Sequence, residues 1–193
     1  MEYKYDEFGK EILVRDDKYA VMSEWEKEYM EKCVDYLDVE EKDILEIGFG
    51  CGYSANRIQE NNPKTHTIVE CHPVVINKLK DWSKKFENIY IIEDIWQNVM
   101  TKLGKKYDRI FFDDFPASDN KFALAQFLAF IDLALKYCLK NKGIISCYLT
   151  ESLRPYMKYF DVLYIDHKFD IHIPRASDYI KQNFLLIPLI ISR

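Results

Sequence analysis

Between residues 20 and 37 the apolar positions Met22, Trp25, Tyr29, Met30, Cys33 and Leu37 recur every three or four residues, with Glu and Lys between them. That spacing predicts an amphipathic helix over 20–37. Ser23 followed by Glu26 also reads as a capping box, in which case the helix starts at Ser23 and Met22 sits just outside it. From residue 43 the pattern changes to short apolar runs alternating with helical segments. Strands are predicted at 43–47, 66–70, 88–93, 107–112 and 143–149, and helices at 53–60, 74–85, 96–103 and 122–139. Strands separated by ~10 to 15 helical residues imply right-handed crossovers and a parallel sheet covered on both faces. Two last strands, 162–173 and 184–192, are joined by a loop too short for a helix and predict an antiparallel hairpin on one edge. No repeat or linker interrupts the progression, so 1–193 reads as one α/β domain with an N-terminal arm and helix (1–42), a core (43–150) and a C-terminal hairpin (151–193).

Composition narrows the function classes. The chain has 193 residues, 48% hydrophobic and 31% charged, with only 6 Gly and 6 Pro, which excludes disordered and low-complexity classes. A net charge of -5 does not favour nucleic acid, whose phosphates reward a basic surface, and suits small molecules or cationic substrates better. The five cysteines form no CxxC pair, so neither a disulfide framework nor a zinc site is expected, and the thiols read as reduced in a cytoplasmic protein. The charged N-terminus lacks a signal-peptide core, and no apolar run approaches the ~18 residues of a membrane span.

The chemistry concentrates after the first strand of the alternating region. The turn Gly48-Phe49-Gly50-Cys51-Gly52 lies between a predicted strand and a predicted helix, and Glu70 ends the next strand 20 residues after Gly50. A Gly-rich turn of this kind lets a cofactor approach the backbone, and an acid at that place can take both hydroxyls of a ribose. A dinucleotide site prefers a third Gly where this chain has Ser54. Glu46, two residues before Gly48, would repel a pyrophosphate and suit a cationic cofactor such as S-adenosylmethionine. Asp94, Ile95 and Trp96 end the third strand, where they would line an adenine pocket, although Trp96 also reads as a core aromatic. Asp113 and Asp114 end the fourth strand, at the rim where open α/β sheets bind ligands. The four histidines keep no spacing relative to this acid pair, so no metal site is expected.

The run E-I-G-F-G-C-G (46–52), V-E (69–70) and F-F-D-D (111–114) resembles the class I S-adenosylmethionine-dependent methyltransferases over residues 43 to about 150. That resemblance implies a Rossmann-like seven-stranded fold, mostly parallel, with an antiparallel C-terminal strand pair and an N-terminal helical segment. Further blocks, V-M-S-E-W-E-K-E-Y-M (21–30), I-Q-E (58–60), I-V-E-C (68–71), L-K-D-W (79–82), I-W (95–96), F-D-D-F-P (112–116) and C-Y-L-T (147–150), narrow it. They resemble the guanidinoacetate N-methyltransferase family and, more loosely, the fungal protein-arginine δ-N-methyltransferases. D-Y (178–179) and I-P-L-I (187–190) resemble the family's end.

The resemblance implies that Glu26 and Asp113 hold an acceptor guanidinium, with Asp113 taking its proton, and that the backbone of Leu149 and Thr150 receives the acceptor's carboxylate. Asp114 and Tyr179 would border the same substrate. Around the cofactor it places Met22, Met30, Glu46 and Gly48, the turn Phe49, Gly50, Cys51, Gly52, Tyr53 and Ser54, then Glu70, Cys71, Ile95, Trp96 and Asp113. Bland readings stand beside these: a capping role for Glu26, core packing for Met22 and Met30, and an ordinary strand end for Leu149 and Thr150. The expected activity is methyl transfer from S-adenosylmethionine to a guanidino nitrogen of a small molecule such as guanidinoacetate or arginine. Alternatives are a protein-arginine N-methyltransferase and a non-catalytic protein binding a partner through helix 122–139; a nucleic-acid methyltransferase is disfavoured by charge. Oligomeric state is not derivable.

Three departures from the family stand out. Asp114 occupies a position where the animal enzymes carry an uncharged residue. The arm before Met22 shows no clear match, though Tyr3, Tyr5 or Phe8 could supply a lid aromatic. Residues 151–161 leave little room for an extra helix over the acceptor. Together they predict a more open and more acidic pocket.

Overall fold

A computed structural model describes residues 1–16, 19–114, 120–171 and 183–193, with backbone alone at residue 19 and at 120–123. Its centre is a seven-stranded sheet in the order β6-β5-β4-β7-β8-β10-β9. The strands are β4 (Asp43–Ile47), β5 (Thr65–Glu70), β6 (Ile89–Glu93), β7 (Tyr107–Phe112), β8 (Leu139–Cys147), β9 (Val162–Asp170) and β10 (Phe184–Ser192). The first five of these run parallel, and β10 pairs antiparallel with both β8 and β9. The chain builds outward from β4 through β5 to β6 and then returns to the other side of β4 with β7. The carboxyl ends of β4 and β7 therefore flank the point where strand order reverses, the place where open α/β sheets leave a crevice.

Alternation along the strands sorts the two faces. Ile44, Ile68 and Phe111 pack beneath α1 (Lys27–Leu37), α2 (Tyr53–Glu60) and α3 (Pro73–Ser83). Leu45, Ile47, Val69, Ile110 and Phe112 pack against α4 (Trp96–Val99) and α5 (Asn120–Leu133). Phe127, Phe130 and Ile131 of α5 are buried in that core, while Ala125, Ala129 and Asp132 of the same helix are exposed on its outer side.

The structure corrects several boundaries. Within 2–22 the described residues form an antiparallel meander, β1 (Glu2–Tyr5), β2 (Glu11–Arg15) and β3 (Tyr19–Met22), where an N-terminal arm and the start of a helix were expected. Met22 happens to match the helical period of the residues after it, but it ends a strand. The helix begins later: Glu24–Glu26 is one 3-10 turn, and the capping box from Ser23 to Glu26 is formed. Helix α5 passes at residue 134 into a π-helical turn, Ala134–Cys138, and β8 starts at Leu139, four residues before its predicted start. The 96–103 helix shortens to 96–99, the strand predicted at 162–173 ends at Asp170, and the segment 151–161 holds a short helix α6 (Arg154–Met157).

At the opposite end of the sheet from the crevice, Asp43 accepts hydrogen bonds from Lys105 and Lys140, both at 2.9 Å, and from Thr65 at 2.7 Å. Burial opposes ionisation of Asp43, but these bonds outweigh it and hold the carboxyl well below the usual carboxylate range. The cluster ties the amino ends of β4 and β5 to the start of β8. On the other flank Arg109 of β7 donates from Nε to the Leu37 carbonyl, closing the end of α1 where Asp38 turns left-handed at φ 54°.

Candidate active site

Strand β4 delivers the Gly-rich turn to the crevice. Gly48 has φ +86°, and a Cβ there would stand 2.2 Å from the Asp113 carbonyl oxygen, so only glycine lets β4 and β7 close at this point. The two strand ends are laced together: Asp113 N–H donates to the Ile47 carbonyl and Gly48 N–H to the Val69 carbonyl, both at 2.9 Å. Gly50, at φ +52°, leaves room for Met22, whose Cε and Sδ would lie 2.7 and 2.8 Å from an added Cβ.

The N-terminal meander lies across this turn. Tyr3 of β1 donates its hydroxyl to the Gly50 carbonyl at 2.6 Å, and the Cys51 N–H donates to Met22 Sδ at 3.1 Å. Lys78 of α3 pairs with Glu11 of β2 and sits 4.0 Å over the Tyr3 ring. The terminal amine of Met1 meets His72 Nε2 at 3.3 Å. Of the three expected lid aromatics, Tyr3 is the one engaged; Tyr5 and Phe8 are exposed.

Glu70, at the end of β5, is buried, and its carboxylate collects three backbone amides: Phe49 N–H at 3.0 Å on Oε2, and Cys71 and His72 N–H, both at 2.8 Å, on Oε1. A carboxylate has about four lone-pair sites, so this fixed group keeps one for a hydroxyl donor. Cys71 and Ile95 border the same region and are exposed, whereas Trp96 is buried, edge-on to Phe112 and Phe130. Trp96 is thus a core aromatic with one polar end.

Burial bears on three of the residues expected around the cofactor, Glu46, Ser54 and Met30. Glu46 is fully buried, on the α2 side of β4, where it accepts from the Ser54 hydroxyl and meets His66 Nε2 at 2.8 Å. Gln59 completes the chain at 3.1 Å from His66 Nδ1. The side chains of Glu46 and Ser54 satisfy each other beneath the turn and present nothing to the crevice. Met30 is likewise turned into the core.

The two acids divide just past the end of β7: Asp113 has Glu26 as its foremost charged neighbour, and Asp114 is bonded to Trp96 of α4. Glu26 is buried, with Oε2 accepting the Ser23 N–H at 2.7 Å. It therefore serves as the cap and as a negative neighbour of Asp113 at once. Asp113 is half-buried. Burial, together with the charges of Glu26, Glu46, Asp114 and Glu70, pushes its pKa up to about 8. Asp114 accepts the indole N–H of Trp96 at 2.6 Å on Oδ2. Burial raises its pKa, and Glu70 adds to this against the opposing Trp96 bond. Asp114 therefore has Glu70 as a charged neighbour on one side and is itself one of the charges acting on Asp113 on the other.

Tyr29, absent from the sequence-based site, organises the floor on the α1 side. Its buried hydroxyl donates to the Leu186 carbonyl at 2.6 Å and accepts the Leu149 N–H at 3.1 Å, with the Cys147 carbonyl at 3.3 Å. The Leu149 carbonyl in turn accepts from Leu186 N–H at 3.0 Å. The backbone of Leu149 is therefore engaged within the protein, a correction to its expected role toward a carboxylate. Thr150 is exposed beside it. Tyr179, like Asp178, Phe115 and Pro116, lies outside the described residues. Tyr29 falls on the apolar stripe, and the backbone groups that its hydroxyl engages are all more than a hundred positions away.

The family model for guanidinoacetate N-methyltransferase matches residues 2–191 of this chain. Protein arginine N-methyltransferase 2 of Candida glabrata is 38% identical over 114 residues, covering 54% of this chain and 27% of that protein. The chain thus spans about a quarter of the length of such curated relatives. Among solved structures, precorrin-6y C5,15-methyltransferase from Geobacter metallireducens superposes with a TM-score of 0.65 at 17% identity, covering 94% of this chain and 97% of that one. The N-methyltransferase NodS from Bradyrhizobium japonicum, in complex with S-adenosyl-L-homocysteine, gives 0.65 at 14% identity, covering 88% and 89%. These two share the fold.

Proposed function

Since the chain belongs to the guanidinoacetate N-methyltransferase family, whose cofactor is S-adenosylmethionine, we propose that it transfers a methyl group to a guanidino nitrogen. The observation that carries this reading is the juxtaposition of buried Glu26 with Asp113, whose pKa that neighbour helps to raise. A guanidinium has a pKa above ~12 and is a poor nucleophile while protonated. Two carboxylates can hold it by bidentate hydrogen bonds and aim one nitrogen. Glu26 is fixed by its bond to Ser23, so it acts as the rigid half of that clamp.

Asp113 acts as the proton acceptor. An arriving guanidinium opposes the repulsion that keeps its proton on, so Asp113 enters the complex as a carboxylate. It then takes the proton that the nitrogen gives up as its bond to the methyl carbon forms, and the methylated guanidinium leaves still cationic. The bound cofactor would supply the electrophilic methyl group. The residues that would hold it are Glu70, whose carboxylate keeps a lone pair for a ribose hydroxyl, the backbone of 48–52, and Cys71 and Ile95 at the rim. The chain's main contribution is to hold both reactants in line, which in oriented systems accounts for up to ~7–11 kcal/mol.

The acceptor proposed first is a small guanidino compound. A peptidyl arginine is the second reading, favoured by the relatives' name, protein arginine N-methyltransferase 2. Incubating the chain and S-adenosylmethionine with guanidinoacetate, arginine, agmatine and an arginine peptide, with mass-spectrometric readout, tests both. A product heavier by one methylene unit is expected from at least one of them. Cofactor binding with no methylated guanidine in any arm would refute the acceptor class.

A further inference from the structure

Asp114 directly follows Asp113 of the acceptor clamp and its charge acts on that residue, but its own side chain is bonded elsewhere, to Trp96. Just past the end of β7, its side chain is held on the α4 side by Trp96, while Asp113 has Glu26 as its foremost charged neighbour. One oxygen is pinned by the Trp96 indole at 2.6 Å, on the first turn of α4, immediately after the Ile95 that rims the crevice. The acid that acts on Asp114 is Glu70, the carboxylate held by three backbone amides beside the Gly-rich turn. Two carboxylates, each immobilised by N–H donors, therefore stand on the same half of the crevice.

Accepting the reading above that this half holds S-adenosylmethionine, we propose that Asp114 is a cofactor-binding residue that selects the sulfonium cation over the neutral thioether left after methyl transfer. The transfer breaks the bond between sulfur and the methyl carbon, leaves that electron pair on sulfur and removes its positive charge. A fixed carboxylate nearby attracts the cofactor and gains nothing from the product. The half-buried setting makes this attraction stronger than in bulk water. Trp96 keeps the carboxylate from swinging away or recruiting a surface lysine. The result is a site that loads the charged cofactor and releases the spent one, without any change in the acceptor clamp.

Asp114→Asn keeps an oxygen for the Trp96 N–H and loses only the charge. The measurement is calorimetric affinity of wild type and variant for three ligands: S-adenosylmethionine, S-adenosylhomocysteine, and sinefungin, which carries a protonated amine where the sulfonium stands. Wild type is expected to prefer both cations to the neutral thioether. The variant is expected to lose about tenfold of that preference, the effect of one charge at several ångströms in a partly solvated site. Its affinity for S-adenosylhomocysteine stays the same or improves. Asp114→Thr, whose hydroxyl also accepts from Trp96, provides a second uncharged variant should Asn fail to fold. An unchanged cation-to-thioether ratio in the variant overturns the proposal, because Asp114 then only anchors Trp96. Failure of wild type to bind any of the three overturns the cofactor reading and this inference together.

Discussion

Replacing Asp113 by Asn should make the protein more stable while ending its activity, because the acid is held against its electrostatic preference. Its pKa lies at about 8 against 3.8 for the ordinary group, burial and four neighbouring carboxylates being the cause. At ~1.4 kcal/mol for each pH unit, that gap sets a ceiling of ~5–6 kcal/mol on the cost of the ionised form. Solvent reaches part of the side chain and screens the repulsion, so about 2–3 kcal/mol is the expected gain. For a chain of this size that raises the melting temperature by ~4–12 °C. The sign follows from linkage: a carboxyl with a raised folded-state pKa contributes its full stability below about pH 4 and loses it progressively as pH rises through about 8. Thermal melts of the ligand-free protein should therefore show wild type losing stability between about pH 4 and 8 and levelling off above that, with Asp113→Asn lacking that slope. Turnover should be abolished in the variant and S-adenosylmethionine binding largely retained. Parallel melting profiles for the two proteins would refute the reasoning about the acid cluster, and near-normal turnover would remove Asp113 from its proposed role.

Tyr29→Phe strands the buried Leu149 N–H and Leu186 carbonyl; a loss of about 2–4 kcal/mol in chemical denaturation is expected, together with a raised KM for the acceptor and an unchanged cofactor affinity. Gly48→Ala drives a methyl group into the Asp113 carbonyl at a positive φ, so loss of both folding yield and cofactor binding is expected, read by thermal melting and calorimetry. Asp43→Asn removes the charge that Lys105 and Lys140 share. Because the Asp43 carboxyl is held low, its stabilisation is present above the ordinary carboxylate range and fades as the solution is acidified. The variant should be less stable than wild type at pH 7, and the two should converge in acid denaturation.

The five parallel strands and the antiparallel end were legible because each buried strand repeats a short apolar run bounded by turn signals, a pattern set by local chain geometry. The N-terminal meander was not. Its residues 2–22 break short apolar runs with charges, and its strands are held by contacts that only folding creates: Tyr3 on Gly50, Met22 on Cys51, Glu11 on Lys78. The boundary at residue 139 failed for a related reason. Residues 134–138 keep a helical apolar pattern, but Leu139 must begin the strand that pairs with Tyr107, and a π-turn absorbs the change.

The site shows the same division. Residue type and order alone located the Gly-rich turn, the acid twenty residues on and the acid pair after the fourth strand, because a strand end, a tight turn and a helix start leave signatures in neighbouring residues. Which way each acid points depends on where its neighbours in space lie, and those come from distant parts of the chain. Glu46 spends its charge on Ser54 and His66, Asp113 neighbours Glu26 while Asp114 bonds Trp96, and Tyr29 locks the end of β8 to β10. The amino-acid order settled what chemistry the crevice contains. The packed sheet decided which carboxylates are consumed by structure and which stand at the crevice, because only folding sets the distances between charges, and electrostatic interaction depends on those distances and on the surrounding dielectric.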